Sequence, residues 1–376
     1  MWERILTILR KEFRSVLRDP RMRMVIIGVP IIQTMIFGYA VTLDVRHVQL
    51  AVIDHDGTPA SRELVARFTG SAYFDAIAHT QDEDAARALV DAARAAAILQ
   101  INAGYEENLR AGRTTPVQLI VDGSDSNTAR FIVNYGTQIA AAANGAILLE
   151  QAQRRAGRTI AVGRAEVQPR AWFNADLESR NYYVPGIIAM LVMLIGLMLT
   201  SMAIVREKEV GTIEQIMVTP IRPVEFILGK CAPFVVIGFL NTALVAGIGL
   251  FWFDIPLRGS FALLLLGTAL FLISTLGIGL YISTVSHTQQ QAMMTTFFFF
   301  FPAMLFSGFI FPIANMPAAI QWLTLLDPLR YILVIIRGVF LKGVGLEVLW
   351  SQFAALLILG VGVMTFAVKR FHKTLA

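Results

Sequence analysis

Acidic side chains recur in short groups along this chain, and each group points to a different chemistry. Glu207, Glu209 and Glu214 stand among Arg206, Lys208 and Arg222, a polar interval between two long apolar runs. Charge of both signs at that density suits docking on another protein better than bond breaking. Asp54 with Asp56, and Asp122 with Asp125, each follow a short apolar run. Oxygen-rich turns of this kind hold calcium in some proteins, but neither pair has EF-hand spacing, and Asp and Ser at strand ends serve as turn formers and helix caps. His47, His55 and His79 have no second ligand at metal spacing, so no metal is expected. A phosphate-cradling G-x-x-x-x-G-K-[ST] loop is absent, so this chain does not hydrolyse ATP by itself in the P-loop manner. No grouping of His, Asp and Ser has the geometry of a membrane-embedded enzyme, and a catalytic site is not expected.

The elements that position these groups follow from composition. Hydrophobic residues make up 56% of the 376, above the roughly 45–50% of soluble domains. This predicts a polytopic α-helical membrane protein. The net charge of +5 lies in basic residues beside apolar runs, as in flanks that face anionic lipid, and no nucleic-acid role is needed to explain it. The single cysteine, Cys231, excludes an intrachain disulfide.

Residues 1–23 read as a basic amphipathic helix on the inner membrane surface, with Ile5, Leu9, Phe13 and Val16 on one face and Arg10, Lys11 and Arg14 on the other. A first span is predicted over 24–43. Residues 44–180 change character and form an outer α/β domain, with strands at 49–53, 96–101 and 117–121 and helices at 61–68, 82–95 and 127–154. The runs from Ala51 and from Leu119 both pass from strand through Asp and Gly into helix, a weak internal repeat. Residues 181–376 hold the remaining spans, predicted at 185–205, 231–253, 261–285, 292–311 and 349–368, six in all with the first. An inner polar segment lies at 206–229. A re-entrant pair of short helices is expected over 312–348, one begun near Pro317 and one after Pro328 that carries Arg330 and Arg337. Juxtamembrane Lys and Arg concentrate in 1–23, 206–230 and the tail, which sets both termini in the cytoplasm.

Within the inner segment Gly211 frees the backbone as one helix ends, Thr212 is suited to cap the next, and Pro220 breaks it after about two turns. Glu207, Gly211, Thr212, Glu214 and Pro220 stand as in the E-x-x-x-G-T-x-E-x(5)-P signature, and the chain resembles the ABC type-2 exporter permeases, in the subgroup with a large outer domain between the first two spans. Met316-Pro317, Leu326-Asp327-Pro328-Leu329-Arg330-Tyr331 and Arg337-Gly338 are similar to that family's M-P…[ND]-P-L-x-Y…R-G element before the last span. Family members more often carry Asn where this chain has Asp327; both residues cap helices. The resemblance implies that the segment at 206–229 is a coupling helix docking on a nucleotide-binding ATPase subunit that holds ATP and Mg; Glu207, Glu209 and Glu214 are expected to meet donors on that subunit. It also implies pairing with a second permease, identical or paralogous, in a bacterial inner membrane. Contact of the outer domain with a periplasmic adaptor is a further expectation, from that domain's size.

The predicted spans contain no Asp or Glu well inside the membrane, which argues against an ion-coupled carrier. Candidate pathway groups are Gln33 and Thr34, Asn241 and Thr242, and Ser274 and Thr275; hydroxyls in spans also bond their own helix. The leading expectation is the permease subunit of an ATP-driven exporter for an amphipathic drug or lipid-like molecule. A receptor or assembly scaffold, with a ligand or periplasmic partner on its outer domain, is the alternative.

Overall fold

The computed structural model describes residues 9–10, 13–14, 18–40, 47–156, 172–174, 178–211 and 223–375. Most of the expected amphipathic helix at 1–23 lies outside them. The chain forms two compact units, one over Leu43–Pro169 and one from the remaining residues.

The first unit is built on β1 (Val48–Asp54), β2 (Phe74–Thr80), β3 (Ala97–Ile101) and β4 (Val117–Val121). The strand order is β2-β1-β3-β4; β1 runs parallel to β2 and β3, and β4 is antiparallel to β3. Alternate side chains of a strand point to opposite faces, which explains the two apolar layers. Leu50, Val52, Leu99 and Ile101 pack on one face against Leu64 and Phe68 of α2 (Pro59–Thr69) and Ile132 of α5 (Ser126–Ala156). Ala51, Ile53 and Ile98 pack on the other against Ala86 of α3 (Glu83–Asp91). A short helix, α4 (Tyr105–Arg110), follows β3. β2 and α4 were not expected from the sequence. Only alternate residues of β2, Phe74-Asp-Ala-Ile-Ala-His-Thr, turn inward, and most are small or polar. The likeness between the Ala51 and Leu119 runs is local, since β1 is central and parallel whereas β4 is an antiparallel edge.

The second unit is helical. α1 (Val29–Ala40) continues from the turn Pro20–Arg23 through a π-helical turn at Met24–Gly28. α6 (Ser179–Val210), α7 (Pro223–Phe251), α8 (Phe261–Val285), α9 (Gln289–Phe306), α10 (Ala318–Leu323), α11 (Pro328–Arg337) and α12 (Leu346–Leu375) follow. Among the described residues four helices are long and apolar enough to cross a membrane: Ser179–Val210, Glu225–Phe251, Phe261–Val285 and Leu346–Arg370. α6 is the hub, with α1, α7, α8, α9 and α11 all against it.

Several expected boundaries move. α6 begins before Pro185 and runs to Val210, and α7 begins at Pro223, ahead of the expected residue 231. α9 stops at Phe306, where Ser307 leads into Gly308 at φ +84°, short of the expected residue 311. α11 ends at Arg337 and passes into a π-helical turn, Gly338–Lys342, before Gly343 at φ +67°.

α8 and α12 approach closely because each presents a glycine to the other. A Cβ on Gly277 would lie 3.0 Å from the Met364 backbone nitrogen, and one on Gly360 would lie 3.1 Å from Ser274 Oγ. In a membrane, where helices gain little by hiding apolar surface from lipid, such close approach supplies much of the attraction. Gly277→Leu is therefore expected to destabilise the solubilised protein by about 1–3 kcal/mol through overpacking. Gly247→Leu, at a position with nothing within 4 Å, is expected to be neutral. Thermal unfolding of both variants in detergent checks the pair.

Candidate functional site

The last turn of α6 carries three successive charged residues, and each reaches a different helix. Glu207 Oε1 lies 2.7 Å from Lys230 Nζ of α7, with the two side chains 13% and 4% exposed. Lys230 also donates to the Ala203 carbonyl at 3.4 Å. Lys208 Nζ donates to the Ser283 carbonyl at 2.6 Å, placing a cation at the C-terminal end of α8. Glu209 accepts the backbone N–H of Gln289 at 2.8 Å and a bond from its side-chain amide, placing an anion at the N-terminus of α9. Gly211, at φ +76°, then closes α6 in the left-handed conformation that glycine adopts without strain. Glu207 and Glu209, expected to face a partner protein, are thus occupied within the chain. Thr212, Glu214 and Pro220 lie outside the described residues, between two fixed ends.

A second cluster surrounds α11. Pro317 precedes α10, and Gln321 Nε2 fastens that helix to the Met316 carbonyl at 2.8 Å. Asp327 caps α11: its Oδ1 accepts the Leu329 N–H at 2.9 Å, and Pro328 occupies the first turn, where no N–H is required. The other carboxylate oxygen, Oδ2, is buried without a hydrogen-bond partner. Arg330 donates to Thr324 Oγ1 and lies over the Tyr331 ring. At the far end of α11 the Arg337 guanidinium stacks 3.6 Å from the centre of the Tyr182 ring and donates to the Gly308 carbonyl at 3.3 Å. Tyr182 donates to the same carbonyl at 3.2 Å. The motif residues of this segment thus tie α11 to the start of α6 and the turn after α9.

The candidate pathway groups divide. Thr242 and Thr275 donate at 3.0 Å to carbonyls one turn back, Gly238 and Phe271, and so serve their own helices. Thr34, Asn241 and Ser274 have buried polar atoms without partners, and Gln33 is half-buried. Among the described residues no hydrogen bond joins the three pairs to one another.

In the first unit the aspartate pairs are spent on backbone. Asp54 Oδ1 accepts the N–H groups of Asp56 and Gly57, at 3.0 and 2.9 Å, and its Oδ2 accepts the Ser61 hydroxyl. Asp56 accepts the N–H groups of Tyr105 and Glu106 at 3.0 and 3.1 Å and the Thr58 hydroxyl, so the turn after β1 caps α4 after the adjacent strand β3. Asp122 and Asp125 make equivalent local turns with Ser124 and Thr128. His47 faces Asp75 at 3.0 Å, and His55 lies 3.7 Å from Glu83.

The sequence pattern of the family described as "ABC-2 family transporter protein" matches residues 21–369. The chain belongs to the ABC-2 transporter family. It is 31% identical over 359 residues to an Escherichia coli K12 protein named "Probable multidrug ABC transporter permease YbhR", covering 96% of this chain and 95% of that one. It is 33% identical over 346 residues to "Probable multidrug ABC transporter permease YbhS" of the same organism, covering 91% and 89%. Over 372 residues it is 27% identical to the E. coli "Inner membrane transport permease YhhJ", covering 97% and 96%. An ABC-2 chain is a multi-pass transmembrane permease subunit of a transporter, and membership implies a separate nucleotide-binding ATPase subunit as its partner.

Two outcomes test these contacts. Removing one member of a buried ion pair strands the other, so Lys230→Ala is expected to cost about 3–5 kcal/mol, and Lys230→Met with Glu207→Leu substantially less. Denaturation of the solubilised variants distinguishes the two. For Asp56, burial works to raise the carboxyl pKa, but the bonds from Thr58, Glu106 and Tyr105 outweigh it and hold the pKa below 3.8. The stabilisation is therefore complete above the unfolded-state value and is lost as pH falls through the lower folded one. Asp56→Ala is expected to flatten this acid limb in thermal melts across that range.

Proposed function

We propose that this ABC-2 permease is the membrane half of an exporter that moves an amphipathic small molecule, a drug or lipid-like compound, out of the cytoplasm or inner leaflet. In this reading α1 and α9 complete the four long helices to six spans, with both termini in the cytoplasm and residues 44–180 outside a bacterial inner membrane. Two permeases, identical or paralogous, pair with two ATPase subunits, which bind ATP and Mg. A periplasmic adaptor meets the outer domain. The multidrug names of the relatives and the concentration of basic residues beside 206–230 and in the tail support this reading.

The observation that carries it is the fastening of Glu207, Lys208 and Glu209 to α7, α8 and α9. Residues 212–222 join α6 to α7 at that same end, so displacement of this short segment by a moving ATPase is passed to four helices together. A ligand shifts such an equilibrium only through its different affinity for two states, and ATP does so on the motor subunit. Glu214, Thr212 and Pro220 are the docking residues in this account; Glu207 and Glu209 hold the helix that receives the push. The acids near this end are engaged or lie in the docking segment, consistent with ATP rather than an ion gradient as the energy source.

Purification from native membranes in mild detergent is expected to recover a P-loop ATPase with vanadate-sensitive activity. Glu214→Lys is expected to reduce its recovery at least tenfold while leaving the melting temperature of the permease unchanged. Recovery of the intact chain without any ATPase, under conditions that preserve other membrane complexes, would overturn the reading in favour of a receptor or scaffold.

A further inference from the structure

A groove of about 660 Å³ lies between α8, α9 and α12, with the α10–α11 junction in its wall. Its lining is almost wholly apolar and rich in aromatic rings: Tyr281, Phe298, Phe299, Phe306 and Phe366. Phe298 is 82% exposed, so the groove opens sideways from the helix bundle rather than into its core. The volume falls in the range of small-molecule sites, about 300–1,000 Å³. One acidic residue, Asp327, contributes to this wall.

Asp327 is 8% exposed, and its second oxygen has no hydrogen-bond partner. A carboxylate in that position is costly unless something completes its pairing. The α11 N-terminus offsets part of the charge through the helix dipole and the Leu329 N–H, but both act on the capping side. Arg330 attracts the carboxylate through its charge but makes no hydrogen bond to it, and Arg337 makes none either. Arg330 is committed to Thr324 and the Tyr331 ring, and Arg337 to Gly308 and the Tyr182 ring at the other end of α11. The site therefore combines an apolar aromatic trough with one unpaired buried acceptor, complementary to a cation with a long apolar body.

We propose that this groove binds protonated amphiphilic amines, with Asp327 as their counter-ion and the Phe298–Phe306 side of α9 against the apolar body. The inference deepens the export reading by naming the charge class of the transported molecule. A small rotation of the Asp327 side chain into the groove uncovers Oδ2, and the amine N–H then donates to it in a charge-assisted bond in a region that excludes water. The rings give additional attraction to the cation and packing for its chain.

The test uses the full-length chain in lipid nanodiscs, without ATPase or transport. Binding of a fluorescent long-chain alkylammonium is compared with that of its uncharged N-acetyl analogue. A hydrogen bond to a charged group is worth about 1.5–3 kcal/mol, so wild-type protein is expected to prefer the amine by about tenfold or more. Asp327→Asn keeps a capping oxygen for Leu329 and removes the charge. It is expected to abolish the preference, leaving affinity for the neutral analogue and the melting temperature unchanged. Phe298→Ala is expected to weaken both ligands.

Equal binding of the two ligands by wild type, or a preference that survives Asp327→Asn, overturns the proposal. So does high-yield disulfide crosslinking between two copies of a Phe298→Cys, Cys231→Ser variant regardless of added amine, which would assign the groove to a second copy. Failure of the export reading looks different. In that case the preference for the amine persists in purified protein, but no ATPase co-purifies and no amine is moved.

Discussion

Three charged residues in the last turn of α6 are each engaged by a different neighbouring helix. Glu207, Lys208 and Glu209 engage α7, α8 and α9 in turn, through an ion pair, a helix C-terminus and a helix N-terminus. Side chains one residue apart on a helix point about 100° apart, so consecutive positions reach around the helix rather than along one face. That geometry suits α6, which has neighbours on several sides and is buried along most of its length. The rest of the helical unit is arranged about a helix whose end is fixed in three directions.

The motif positions before α12 follow the same constraint at the other end of the unit. Asp327 and Pro328 begin α11 with few unsatisfied backbone donors, and Arg337 ends it over an aromatic ring. Short helices inside a membrane protein lose the backbone satisfaction that a long one provides internally, so their ends must be closed by side chains. The residual orphan atoms, on Asp327 and Arg337, sit where closure is incomplete.

Much of the fold was legible because its signals are local. β1, β3 and β4 are short β-rich runs ended by turn residues; α2 and α3 carry Thr58 and Asp82 as caps; α8 is bounded by the polar residues expected. β2 has no such signal, because its inward positions after Phe74 are Ala76, Ala78 and Thr80, with too little apolar contrast to reveal a period of two. The site was less legible for a different reason. Lys230 is 23 residues from Glu207, and Gln289 is 80 from Glu209. No local pattern distinguishes a glutamate awaiting a partner protein from one already paired across a helix interface, so all three acids looked alike. The orphaned oxygen of Asp327 is likewise a property of assembled neighbours, whereas its cap followed directly from Asp-Pro ahead of an apolar run.

The Gly308 carbonyl accepts from both Tyr182 and Arg337. A carbonyl oxygen has two lone pairs, and both are engaged here. This acceptor is saturated. Water, lipid or cargo can take it only by evicting the tyrosine or the arginine, and eviction of either loosens α6 from α11 at the point where the turn after α9 meets them. The junction is therefore a competitive one, in which occupancy by any outside donor and closure of the helices are mutually exclusive states.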